Sequence, residues 1–378
     1  MSISYVSDTT KFILWGKAAG RCEYCNRPIY FDNLTKCEFN TAYIAHIIAS
    51  RVDGPRGHPT ESERLRGDIS NLMLLCDTHH RLIDKDDVEG HPVDLLRDMK
   101  KKHEERVFLQ TNVSNKQSHV ILYGEKVGYN NSNLTWENAF EAMTPEKYPA
   151  EKQPIILGIR NSALCDDDPE YWEKERRNLN LNFDRLVRRQ VEDGHIDHVS
   201  VFAIAPQPLL IELGRLISDI RPAEVYQLQR EPTTWRWQNH PEVSFRLIPP
   251  VKDHDVVALN ISLSATVSDD RIFNVLGPKL SIWTLTIDSP HNDFLKTKES
   301  LCGFRKCMRT AFDKIKAKHG HNTVLHVFPA MPVSAAVEFG RVWQPKADME
   351  MVIYDENRKI GGFVEAFTLR GHDFLRKE

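Results

Sequence analysis

Two pairs of residues constrain this chain more than anything else in it. Cys22-Glu23-Tyr24-Cys25 and Cys76-Asp77-Thr78-His79 each place two metal-ligand side chains with two residues between them. Pairs of this spacing close on one ion from a loop and a helix end, so Cys22, Cys25, Cys76 and His79 are expected to form a closed tetrahedral zinc site. The intervening stretch must then fold back on itself. Such a site takes four ligands, yet His46 and His80 remain beside it. The two spare histidines point to a second, reactive centre on the same scaffold.

The chain has 378 residues, enough for two or three domains. With 41% hydrophobic and 27% charged residues it has the composition of an ordinary soluble globular protein. No apolar run is long enough to span a membrane, and the start MSISYVSDTT has neither a basic n-region nor an apolar h-region. A cytoplasmic, non-membrane protein is expected. The seven cysteines are an odd, scattered set that suits a reducing compartment. Cys37, Cys165, Cys302 and Cys307 lack ligand-like spacing and read as buried or surface thiols. The net charge of −3 gives no global sign of a nucleic-acid partner. Any phosphate contact must therefore be local, and Arg51, Arg56 and Lys101 are the candidates for DNA contact around the metal region.

Along the chain, residues 11–21 read as a short helix ending at Gly20, and TAYIAHIIAS as a strand carrying His46. The segment 51–68 is a Gly/Pro/Arg-rich loop. The spacing in LMLLCDTHHRLIDKD predicts a helix starting near Leu75 or Cys76, and VDLLRDMKKKHEERVFLQ is an amphipathic helix. Residues 111–152, rich in Asn, Ser, Lys and Pro, read as a linker with room for one strand at HVILYG. Beyond them lies an internal repeat. VFAIAPQPLLIELGR (201–215) aligns without gaps to VFPAMPVSAAVEFGR (327–341), with six of fifteen positions identical. Each copy reads as strand, Pro-containing turn and helix, followed by a further strand (VYQLQR, MEMVIYD), which is half of a doubly wound α/β unit occurring twice.

Cys22 and Cys25, then Ala45-His46-Ile47, then Asn71-Leu72-Met73-Leu74-Leu75-Cys76-Asp77-Thr78-His79-His80 give the order C-x-x-C, strand-end histidine, N-L…C-x-x-H-H. That order resembles the HNH nucleases. The resemblance implies an α+β zinc-containing ββα-metal domain over residues 1–110 that hydrolyses double-stranded DNA. It assigns His46 to the general base, Asn71 to orienting loop and base, and His80 to a catalytic Mg²⁺ or similar divalent ion. A histidine neutral near pH 7 suits the base role. Many relatives carry an acid immediately before the first histidine; here it is Ala45. The catalytic ion is then expected to be weakly held by His80, substrate oxygens, water and a further donor such as Asp84.

The two P-x-x-x-x-x-x-x-G-R segments, the pair Trp235 and Trp237, and the loop ISLSATVSDDR make the second half similar to the SAVED domain, a fusion of two CARF-like units. The resemblance implies an α/β sensor over 153–378, in halves of about 153–260 and 261–378, that binds a cyclic di- or trinucleotide. Phosphates would meet helix N-termini beyond the strand ends, at Pro206, Gln207 and Pro208 in one repeat and Met331, Pro332 and Ser334 in the other. Trp235, Arg236 and Trp237 would stack on or clamp bases, with Ser264 nearby. An HNH domain joined to SAVED is similar to the bacterial CBASS anti-phage effectors, for which a homodimer or higher oligomer on activation is expected. Two other readings stay open: a modification-dependent restriction endonuclease, and a non-catalytic zinc DNA-binding regulator.

Overall fold

Ser7 opens the first helix by accepting the Thr10 N–H at 3.1 Å, and α1 runs Asp8–Ala18. It ends on left-handed Ala19 (φ 52°) and Gly20 (φ 65°), close to the expected stop. The structure, a computed structural model, describes residues 6–31, 35, 37–111, 116–124, 134–158, 166, 168, 170–218, 222–357 and 359–371. Cys165 lies outside them, as does part of the Asn/Ser-rich stretch after Gly124.

The chain forms two units, Met1–Asn115 and Lys116–Glu378. In the first, β1 (Ala42–His46) pairs antiparallel with β2 (Leu72–Cys76), so that Ala42 faces Cys76 and His46 faces Leu72. The connection holds a helical turn α2 (Glu61–Arg64) and a 3-10 turn Ile69–Asn71. A short helix α3 (Asp77–Arg81) follows with Cys76 at its N-cap, and passes into a π turn Leu82–Asp86. The helix expected from Leu75 or Cys76 thus begins only at Asp77. Leu72–Cys76 are all buried and hydrogen-bonded to β1, which makes the apolar run a strand. Helix α4 (Val93–Thr111) lies where the amphipathic pattern predicts, and its buried Leu96 joins Leu14, Ile29, Ile47 and Leu72–Leu75 in one core.

The second unit carries two sheets. In the first, β3 (Gln117–Gly124) sits between β4 (Tyr148–Pro149) with β5 (Ile155–Ile156) on one side and β6 (Val199–Ile204) on the other; β7 (Ala223–Val225) follows, and every pair is parallel. Helices α5 (Trp136–Met143) and α6 (Tyr171–Phe183) flank it, the latter continuing through a π turn Asp184–Arg188 into α7 (Arg189–Glu192). Then β6 leads into α8 (Gln207–Ile217). The second sheet has the order β13-β12-β11-β9-β10-β8. It comprises β8 (Arg246–Ile248), β9 (Val256–Ser262), β10 (Leu280–Thr286), β11 (Leu325–Ala330), β12 (Met351–Asn357) and β13 (Gly362–Leu369), with parallel pairing except at the two edges. Its helices are α9 (Asp269–Leu276), α10 (Lys298–His319) and α11 (Val333–Val342).

Here the expected boundaries move. The segment read as a linker supplies β3, paired with β6 from His119 to Gly124. The expected division at 260/261 falls inside β9, paired with β11 from Val257 to Ser262. Parallel strands recruit partners from distant sequence, so each half starts one strand earlier than the legible repeat. The matching sets are β3-β6-β7 and β9-β11-β12. The aligned phenylalanines confirm the correspondence: Phe202 stacks on Tyr226 (4.3 Å, 13°) and Phe328 on Tyr354 (4.4 Å, 9°). Helices α8 and α11 cross in the core between the sheets. A Cβ on Gly214 would lie 1.9 Å from the Val337 carbonyl oxygen, and one on Gly340 1.9 Å from that of Ile211. The repeated glycines therefore exist to let two backbones touch.

Candidate metal centre and sensor site

The first site grows out of the turn after α1. Cys22 donates its N–H to the Arg27 carbonyl and accepts from Asn26 N–H at 2.8 Å; Asn26 takes a left-handed φ of 61°. That loop is pinned to β2 by Glu23, whose N–H reaches the Leu74 oxygen (2.9 Å) and whose Oε2 accepts the Leu74 N–H (2.7 Å). Burial pushes the Glu23 carboxyl up to about 7, with Lys100 opposing it. From the other side, β2 delivers Cys76 and the first turn of α3 delivers His79. The donor atoms of Cys22, Cys25, Cys76 and His79 all lie within 4.8 Å of one another. Among the described residues this is the one such group of three or more His, Cys, Asp or Glu side chains. Donors of a tetrahedral zinc stand about 3.8 Å apart, given Zn–S bonds of about 2.3 Å. The set fits that ion with small movements. Burial raises the Cys22 and Cys76 thiols and lowers His79. A bound cation would reverse the thiol shifts by favouring thiolates. Tyr24 stacks on His79 (4.1 Å, 15°) and its hydroxyl meets His91 Nε2 at 3.2 Å. Glu23, Tyr24 and His91 escape a spacing argument, because they support the ligands without being any of them.

The spare histidines occupy the same hairpin and helix. His46 ends β1; its Nε2 is 3.0 Å from the Arg66 carbonyl oxygen, so that nitrogen carries the proton and Nδ1 holds the free lone pair. Asn71 is 1% exposed and braces the strand end: Oδ1 accepts the Ile48 N–H (2.8 Å), while Nδ2 donates to the oxygens of Ile48 (2.9 Å) and Leu65 (3.3 Å). His80 stacks on Tyr43 of β1 (4.8 Å, 11°) and lies 3.4 Å from Asp84 Oδ2. One expectation is corrected. Arg56 is not free for DNA: its side chain is 6% exposed and spends its donors on Ile47 O (2.7 Å), Ile83 O (2.6 Å) and Asp84 Oδ1 (2.6 Å). Arg51 is exposed. Lys101 is exposed too, 3.8 Å from Glu105.

In the second unit, Pro206 and Pro332 cap α8 and α11. The two turns adjoin, because the Met331 N–H donates to Gln207 Oε1 at 3.1 Å. Ser334 donates both its N–H (3.1 Å) and its hydroxyl (2.8 Å) to Gln227 Oε1. Ser264 reaches the same place, its N–H donating to the Ala330 oxygen at 2.7 Å. Gln207, Met331, Pro332, Ser334 and Ser264 thus gather where two helix N-termini converge, but only Gln207 and Ser264 of this group are partly exposed. Pro206, Pro208, Met331 and Pro332 are buried, and Ser334, fully buried with both donors spent on Gln227, is not placed for the expected ligand contact. Gln227 was missed; a polar residue inside the apolar strand pattern VYQLQR is the signal that could have found it. The aromatic pair divides. Trp235, 3% exposed, packs edge-on against Phe202 (5.3 Å, 75°) in a side core and offers no face for stacking, which corrects its assignment to base contact. Arg236 is exposed beside α5, its Nε donating to the Glu141 oxygen at 3.1 Å. Trp237 is half-buried between two cores, with a buried Nε1–H that has no partner among the described residues.

The structures similar to this one include two Cap4 SAVED/CARF-domain containing receptors. The receptor of Acinetobacter baumannii with the cyclic trinucleotide 2'3'3'-cAAA aligns at 12% identity and TM-score 0.44, over 74% of this chain and 61% of that one. That of Moraxella osloensis aligns at 12% identity and TM-score 0.42, over 74% and 60%. This chain therefore spans about three fifths of their length. No curated protein matches it. Among the described residues, no helix is long and apolar enough to cross a membrane. The family model of the SMODS-associated and fused to various effectors sensor domain matches residues 179–369, a span running from α6 to β13 with both repeats inside it, and the chain belongs to the SAVED family.

Proposed function

We propose that this protein is a metal-dependent DNA endonuclease of bacterial anti-phage defence, switched on by a cyclic oligonucleotide. The observation that carries the reading is the hairpin β1–β2 with α3, which assembles His46, Asn71 and His80 beside a Cys₃His cluster in a chain whose other unit is a SAVED sensor domain. In this reading zinc on Cys22, Cys25, Cys76 and His79 holds the fold. His46 takes the proton of the attacking water on Nδ1, since Nε2 faces the Arg66 carbonyl. Asn71 keeps that strand end in place. His80 would hold the divalent ion, which when bound neutralises charge on the scissile phosphate and leaving oxygen. Arg51 and Lys101 are the exposed cations left for DNA phosphates.

The sensor step belongs to the turns at Gln207 and Met331–Ser334, where the positive ends of α8 and α11 converge. A messenger activates only if it binds the active arrangement better than the inactive one. Assembly into a homodimer or larger oligomer is the switch we propose. The test is plasmid cleavage with Mg²⁺, with and without a panel of cyclic di- and trinucleotides, alongside His46→Ala. Cutting that needs one cyclic nucleotide and is lost in the variant is the expected result. Messenger-independent cutting would sink the sensor half of the proposal, and equal cutting by the variant would sink the base assignment.

A further inference from the structure

The nuclease centre just proposed lacks an acid beside its first histidine. Ala45 is 2% exposed, opposes Met73 in the hairpin and offers no donor atom. The structure brings a different carboxylate to the other histidine. Asp84 lies in the π turn Leu82–Asp86, a rare backbone geometry frequent at functional positions. Its Oδ2 is 3.4 Å from His80 Nε2. Adjacent ligands of an octahedral ion at about 2.1 Å stand about 3.0 Å apart, so the two atoms need to close by only about 0.4 Å to share one cation. Both side chains keep part of their surface open, 29% for His80 and 22% for Asp84, which leaves room for water and substrate oxygens.

Arg56 is what aims the carboxylate. It takes Oδ1 at 2.6 Å and leaves Oδ2 free. Through the Ile47 and Ile83 carbonyls it also ties the strand end that bears His46 to the turn that bears Asp84. A carboxylate gripped through one oxygen by a buried guanidinium, with the other oxygen turned to an imidazole, has the form of a metal ligand with its supporting partner.

We propose that Asp84 joins His80 as a ligand of the divalent cation, supplying the acid that position 45 lacks, with Arg56 as the positioning residue. This rests on the nuclease reading above. Its test is Mn²⁺ titration of the zinc-loaded full chain by calorimetry, with electron paramagnetic resonance of the bound ion. The wild type should bind one equivalent in the presence of plasmid DNA. Asp84→Asn and His80→Ala should each weaken it about tenfold or more, with zinc content unchanged. Arg56→Lys should weaken it too. A second variant guards against misfolding of the first: Asp84→His keeps a ligand but changes its kind, and should shift the site's preference from Mn²⁺ towards Ni²⁺. Wild-type Mn²⁺ affinity in Asp84→Asn, or an unchanged metal preference in Asp84→His, would overturn the role of Asp84 while leaving the nuclease reading standing. Absence of any Mn²⁺ equivalent in the wild type with DNA and each of the panel of cyclic di- and trinucleotides would remove that reading itself.

Discussion

Asn71 satisfies three backbone groups with one amide. Asn71→Asp keeps the shape but removes both donors and sets a carboxylate against the Ile48 and Leu65 oxygens. We expect it to cost about 3 kcal/mol in urea denaturation and, under the nuclease proposal, to lower plasmid cleavage, because the strand end bearing His46 loosens. His198 makes a pH prediction. Burial, with Lys147 next, pushes it down to about 4 from an ordinary 6.5, and its Nδ1 meets the Ser118 hydroxyl at 2.8 Å. The unfolded chain protonates this ring first, so its contribution is complete above about pH 6.5 and is lost as pH falls towards 4. The loss is about 3 kcal/mol. His198→Gln should flatten the fall in melting temperature across that window; an unchanged slope would place the proton uptake elsewhere.

At the scale of elements, the crossing of α8 and α11 explains the most legible piece of the repeat. Glycine sits at the contact, and three residues before each following arginine comes its partner: Glu212 binds Arg215 (2.7 Å), and Glu338 binds Arg341 (2.7 Å). Burial works against the Glu212 carboxylate, yet Arg215, Arg176 and Asn180 together hold it below its usual range. Gly214→Ala or Gly340→Ala must push the helices apart, at about 2–3 kcal/mol each. Both changes open one crossing, so the double variant should cost clearly less than the sum. Additive losses in chemical denaturation would show that the two contacts yield separately.

For the whole molecule, the two units have separate cores and separate sources of stability. The first is small, and its Cys22–Cys25 loop and the start of α3 meet at the Cys22, Cys25, Cys76 and His79 cluster, beside the Glu23–Leu74 hydrogen bonds and the Tyr24–His79 stack. If zinc fills that cluster as proposed, chelation should destabilise Met1–Asn115, leave the second unit's transition in place and release one zinc per chain. A single transition that ignores the chelator would contradict this. The net charge of −3 stays uninformative at this scale. The chemistry is local, and even the local charge has to be sorted by burial, as Arg56 shows.

The sequence by itself determined which four donor side chains gather, because donors at fixed spacing leave few ways to close on one another, and the repeat, because identical packing problems call for identical residues. Tertiary structure decided what spacing cannot carry. It turned Leu72–Cys76 into a strand, since pairing with β1 outweighs an apolar run's helical period. It made the strand legible at HVILYG the partner of β6, since parallel pairing ignores distance along the chain. It buried the side chains of Trp235 and Arg56, which were expected to contact bases and DNA. Burial and proximity between remote segments are properties of the packed chain, and no local pattern encodes them.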